Sequence, residues 1–327
     1  MISCHRIALS SNSERQTLPR QFAPMGATPG NRLVIEKHHM THPVKGIDHI
    51  VILVSDLDAS AKHFAALGFT LSPRGTHSPH MGSANYTIIL QDDYFELMGI
   101  IAETPHNASK REALAKNGEG LAAIACRIGD AHAARASLTE LGITTGDVMD
   151  FSRPLPLPDD STGIAAFAVT TFEPGEVPRG EMFMCQHKTH DMVWRPELMT
   201  HDNGAIALAG VVVASTSPGE TARGFARLFA AGHIQGTDNT CAVTTGDKSA
   251  TITCMTPAAI TEYYAGMDAE KILRGDFAAL QIAVDDIAKT QAHLQSKSIG
   301  FVKSQNRKSI FVSPANAGGT LMEFIQR

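Results

Sequence analysis

Long apolar runs, basic clusters and paired cysteines are all missing from this chain. Its longest apolar stretches, such as Ile206 to Ala214, fall far short of the ~20 residues a helix needs to cross a bilayer. Lys and Arg number 28 against 33 Asp and Glu, a formal charge of -5, with no cationic run. Nucleic acid and anionic membrane surfaces are therefore not expected partners. The five cysteines (Cys4, Cys126, Cys185, Cys241 and Cys254) are odd in number and scattered, without a C-x-x-C pair. That spacing argues against a zinc knuckle or a disulfide framework and makes a reducing cytoplasm the expected location. Cys126 and Cys254 lie in apolar strands, where they pack as small hydrophobes. Tryptophan occurs once, at Trp194.

What remains is a chain of 327 residues with 43% apolar content, enough for two ordinary domains with filled cores. Residues 1–44 stand apart, rich in Ser, Pro, Arg, Asn and Gln with little apolar periodicity. They are expected to be a disordered or spurious extension, with Met40 as an alternative start. From residue 45 onward one unit recurs four times. Each copy opens on a short apolar strand: Ile47 to Val54, Leu121 to Ile128, Ile206 to Ala214, and Phe277 to Val284. A capping residue follows: Asp56, Asp130, Asp286, and in the third copy a capping box, Ser217-Pro218-Gly219-Glu220. A helix comes next and ends near a glycine, at Gly68, Gly142, Gly232 and Gly300, where a left-handed residue is expected to close it. Further strands complete each copy, three in the first and fourth and two clear ones in the second and third. The segment 150–163, with Pro154, Pro156 and Pro158, is long for a compact domain and reads as a lid or a connection. The expected class is α+β, built from β-α-β-β-β modules.

This order resembles the vicinal oxygen chelate superfamily, which includes glyoxalase I, extradiol dioxygenases and bleomycin-resistance proteins. The stretches His80-Met81-Gly82-Ser83-Ala84-Asn85, Tyr94-Phe95-Glu96-Leu97-Met98-Gly99, Phe183-Met184-Cys185-Gln186-His187 and Val193-Trp194-Arg195-Pro196-Glu197 are similar to its bacterial glyoxalase-like family. The resemblance implies four βαβββ modules forming two open barrels. Residues 45–199 would form a first glyoxalase-like domain and 200–327 a second. Superfamily members often pair, so a homodimer is an expectation.

Only the first copy joins a histidine on its opening strand, His49, to a glutamate on its last, Glu96. The resemblance implies metal ligands at those positions. Imidazole and carboxylate suit Zn, Mn, Fe, Co or Ni, and a bound ion would polarise a substrate oxygen. A complete site needs ligands from the second copy, yet Ala123 stands at the position equivalent to His49. Gln186 and His187 fall on opposite faces of their strand, and either one could turn inward. The expected metal set is His49, Glu96 and His187, with His49 and Glu96 also catalytic. His80, Asn85, Gln186, Trp194 and Arg195 are candidates for binding substrate. Arg195 suits a ligand carboxylate or phosphate; alternatively, residues 194–197 form a strap in which Arg195 pairs with Glu197. The leading expectation is a metal-assisted lyase or isomerase acting on a small oxygen-rich substrate. The competing one is a non-catalytic binder that sequesters a small molecule. An extradiol dioxygenase is disfavoured, because two histidines on opening strands are not present.

Overall fold

The computed structural model describes residues 41–159, 161–305 and 308–327. The expectation for residues 1–40 lies outside that set. The packed chain already includes Val44, which is fully buried and whose carbonyl accepts the Ala230 N–H at 2.9 Å. Residues Met40–Arg327 form one compact unit.

Four βαβββ modules are present. The first holds β1 (Ile47–Val54), α1 (Leu57–Ala66), β2 (Gly75–Thr76), β3 (Ser83–Ile89) and β4 (Tyr94–Ile100), and α2 (Ala108–Asn117) leads out of it. The second holds β5 (Gly120–Arg127), α3 (Ala131–Glu140), β6 (Met149–Pro156), β7 (Thr162–Thr171) and β8 (Glu181–His187). The third holds β9 (Ala205–Ala214), α4 (Pro218–Ala226), β10 (His233–Thr237), β11 (Thr240–Thr244) and β12 (Thr251–Met255), followed by α5 (Pro257–Tyr263) and α6 (Ala269–Ile272). The fourth holds β13 (Phe277–Val284), α7 (Ile287–Ser296), β14 (Val302–Lys303), β15 (Ser309–Val312) and β16 (Leu321–Gln326).

Two eight-stranded sheets result, ordered β2-β3-β4-β1-β5-β8-β7-β6 and β10-β11-β12-β9-β13-β16-β15-β14. Each joins two modules through an antiparallel pair of opening strands, β1 with β5 and β9 with β13, and pairs each opening strand in parallel with the last strand of its own module. The opening strands lie at the centre of each sheet; all eight residues of β1 are buried, whereas β5 is buried only over residues 123–126. The sheets meet along a shared apolar core that includes Phe69 and Phe95 from the first and Leu208 and Phe324 from the second. The Asp93 carboxylate, at the β3–β4 turn, accepts the Leu208 N–H of β9 at 2.9 Å.

Local signals succeeded unevenly. Asp56, Asp130 and Asp286 each cap a helix with the side chain. Ser217 does not; its capping box never forms, because its own N–H is taken by the Ser215 hydroxyl at 3.0 Å. Gly68 and Gly142 take positive φ as expected, but α7 is closed by Ser298 at φ 56 rather than by Gly300. The proline-rich stretch read as a lid or connection is strand β6. Pro154 and Pro156 are tolerated there because β6 is the edge of its sheet and need not donate on its outer side. The third copy likewise has a further strand, β10, whose mostly exposed residues carry no alternation to reveal it.

Candidate functional site

Because strand residues alternate between faces, every second side chain of the curled first sheet points inward. Seven of its eight strands contribute to a cavity of about 300 Å³. His49, Val51 and Leu53 come from β1, Tyr94, Glu96 and Met98 from β4, Asn85 and Thr87 from β3. Phe151 and Arg153 of β6, Phe167 of β7 and Phe183 and Cys185 of β8 close the other side. Lys110 of α2 lies on the lining, paired with Glu181 at 3.1 Å.

His49 is held on three sides. Its ring stacks on Tyr94 with centroids 4.3 Å apart and meets the edge of Phe183 at 5.6 Å. Its Nδ1 donates to Asp48 Oδ1 at 2.7 Å, which leaves Nε2 as the ring nitrogen free for a ligand. Strict alternation would turn Asp48 away from its neighbour. A register shift between Ile47 and His49 in the pairing with β5 re-aims it, which is what a β-bulge does. The same Asp48 oxygen accepts from His187 Nε2 at 2.9 Å, and Arg127 Nε lies 3.7 Å from the other oxygen. Burial pushes the Asp48 pKa up, but the hydrogen bonds from His187 and His49 outweigh it and hold the carboxyl far below the usual carboxylate range. Burial, reinforced by the Asp48 charge, pushes the Cys185 thiol and the Tyr94 phenol well up, so both carry their protons at neutral pH. Burial lowers the His77 pKa despite the Glu96 charge; His77 Nδ1 bonds the Ser83 hydroxyl at 2.8 Å.

Glu96 is 6% exposed and accepts from Asn85 Nδ2 at 2.5 Å. His49 and Glu96 thus share the cavity, each hydrogen-bonded to a different partner. Asp48, His49, Cys185 and His187 gather donor atoms within 4.8 Å of one another, a cluster that could hold a metal ion. Glu96 lies outside it. The donor types, two imidazoles with a carboxylate and a sulfur, fit a divalent ion, and His187 Nδ1 is buried without a partner. One Asp48 oxygen accepts a hydrogen bond from each of the two imidazoles.

The remaining expected residues are placed as follows. His187 is on the inner side of β8 but behind His49, under Trp194 with centroids 4.9 Å apart. Gln186 points the other way, its side-chain oxygen accepting the Ala131 N–H at the start of α3. Asn85 lines the cavity. His80 is exposed, its ring 5.0 Å from that of His106 on the cavity lining. Trp194 stacks on His190 at 4.2 Å. Arg195 pairs with Glu197 at 3.2 Å and donates to the Pro156 carbonyl at 2.9 Å, the strap arrangement. Sequence reasoning missed Asp48, His77, Tyr94 and Arg153.

The model of the glyoxalase-like domain matches residues 47–229. The chain belongs to that family. Its structural neighbours share the glyoxalase-like fold of the vicinal oxygen chelate superfamily. A hypothetical protein from Staphylococcus aureus aligns at TM-score 0.57 and 13% identity, covering 86% of this chain and 99% of that one. A mutant of 4-hydroxymandelate synthase from Streptomyces coelicolor aligns at 0.53 and 14%, covering 87% and 93%. A variant of homoprotocatechuate 2,3-dioxygenase from B. fuscum aligns at 0.51 and 12%, covering 88% and 72%. At these identities the likeness concerns the fold alone. None of the curated proteins compared matches this glyoxalase-like chain. Among the described residues no helix is long and apolar enough to cross a membrane.

Proposed function

We propose that the first barrel is a lyase or isomerase site that moves a proton on a small oxygen-rich substrate, with His49 and Glu96 at the reacting atoms. The observation that carries this reading is that both side chains line one cavity and each has its own orienting partner, Asp48 and Asn85. Asp48 fixes the His49 tautomer, so Nε2 is presented as a base or a ligand. The Glu96 carboxylate faces the same space and takes or returns the proton at carbon or oxygen. The Tyr94 phenol adds a donor for an oxygen that gains charge. A divalent ion held by the cluster around His49 and His187 would polarise a substrate oxygen.

A second reading, sequestration without chemistry, is supported by the same Asp48 oxygen, which accepts from both imidazoles and orients them without needing an ion. Two measurements separate the two. Full-length protein purified without chelator and offered Zn, Mn, Fe, Co or Ni is expected to retain near one ion per chain, lost in His49→Ala and His187→Ala. Small oxo and hydroxy compounds, with and without a carboxylate, are then incubated with the protein in deuterium oxide. Deuterium incorporation at a carbon beside oxygen, lost in Glu96→Gln, supports the enzyme. Neither retained metal nor incorporation would leave only the binder.

A further inference from the structure

Arg153 is the one guanidinium on the cavity lining, and nothing among the described residues pairs with it. It sits on edge strand β6 and is only 8% exposed. Lys110, the other permanently cationic side chain there, is neutralised by Glu181. Arg153 feels the charge of Glu96, yet no ion pair or hydrogen bond joins the two. A buried cation without an acceptor is costly, and burial accordingly lowers its pKa.

The backbone opposite has been kept clear for it. A Cβ on Gly75 would stand 2.5 Å from Arg153 Nη1 and 2.5 Å from Asn85 Oδ1. Gly75 does not take positive φ, so space is the reason for glycine at this position. Asn85 Oδ1 is itself buried without a partner. Even a shift that joined it to Arg153 would use one of five donors.

We infer that Arg153 anchors the carboxylate of the ligand, and that the ligand of the first cavity is a small monocarboxylate with an apolar or aromatic body. One planar guanidinium matches one carboxylate through two parallel hydrogen bonds. Glu96 nearby disfavours a doubly charged group such as a phosphate. Val51, Met98, Phe167 and Phe183 supply the apolar wall. The arginine expected from sequence to do this, Arg195, already has Glu197 and the Pro156 carbonyl. The inference rests on reading the first cavity as a ligand site and adds the class of ligand; it does not depend on which reaction follows.

The test is calorimetric titration of the full-length protein, at neutral pH and low chloride, with phenylacetate, 3-phenylpropionate and 3-methylbutyrate, each against its primary amide. At least one acid is expected to bind roughly tenfold or more tightly than its amide. Arg153→Met removes that preference, and Arg135→Ala, a surface arginine paired with Asp147, preserves it. Should Arg153→Met fail to fold by circular dichroism, Gly75→Ala replaces it. That variant keeps the arginine but crowds its Nη1, and the acid, not the amide, is expected to bind several-fold more weakly. Equal binding of acid and amide, no acid binding at all, or acid preference that survives in the readable variant would overturn the assignment. Metal content and deuterium incorporation are not read in this experiment. The catalytic reading can therefore fail with acid selectivity intact, and the reverse.

Discussion

The two barrels place a glutamate at the same register position and surround it in opposite ways. In the first, Val51 pairs with Glu96; in the second, Gln281 pairs with Glu323. Glu323 is fully buried and saturated, with Tyr263 and Tyr264 each donating at 2.9 Å and Gln281 at 2.8 Å. Those tyrosines come from the end of α5, between the third and fourth modules. Tyr264 packs into an apolar cluster with Ile260, Ala279, Phe311 and Leu321. The helix in the corresponding place of the first barrel, α2, has no fully buried residue and stays at the cavity rim. At the position of His49 the second barrel has Ala279, which pairs with Leu321 as His49 pairs with Tyr94. A strand glutamate is therefore structural where neighbours supply its donors, and a candidate for chemistry where they leave it facing space.

Substituting the two glutamates breaks the comparison most directly. Glu96→Gln is expected to cut deuterium incorporation by roughly 10²–10⁴-fold with little change in the denaturation midpoint. Glu323→Ala is expected to leave incorporation unchanged and to cost about 3 kcal/mol, since two hydroxyls and an amide lose their acceptor. The opposite pattern would move the active centre to the second barrel.

The seam between the barrels gives the next effect. Burial raises Asp93 to about 7, only partly offset by the Leu208 N–H that its carboxylate accepts. The folded state therefore holds this proton more tightly than the unfolded one, whose pKa is about 3.9. Stability from this group is full below pH ~4 and falls as pH rises toward about 7, by at most roughly 4 kcal/mol. Urea midpoints measured across that window should decline in the native protein and flatten in Asp93→Asn. A midpoint that rises with pH in the native protein and not in the variant would contradict the burial argument.

The smallest contrast lies between the helices of the first and third modules. Asp56→Ala removes a formed cap from α1 and should cost about 1 kcal/mol, whereas Ser217→Ala at α4 should cost less than about 0.5 kcal/mol. Equal losses would mean that Ser217 caps in solution.

Much of this was legible before folding. The opening strands β1 and β13 run over the residues expected, because a short, mostly apolar run between turn residues has few other solutions. His49, Glu96 and Asn85 were singled out on the resemblance to the glyoxalase-like family, and all three line the first cavity. Arg153 was hidden because prolines made an edge strand resemble a loop. Asp48 was hidden because alternation aims it away from His49, and only the bulge in β1 overrides that rule. Gln186 and His187 could not be told apart until the register of β8 was fixed.

The chain alone therefore determines a fourfold module with one decorated copy, since periodicity, capping and turn chemistry are local properties; the pairing of modules into two barrels followed from the family resemblance. Tertiary structure decides which decoration is usable. It brings His187, 139 residues away in sequence, to Asp48 and folds edge strand β6 over the cavity with Arg153. It also lets α5 fill the second barrel while α2 leaves the first open. Those outcomes depend on the register between strands distant in sequence and on which side chains compete for the same interior, and neither is written in any short stretch of sequence.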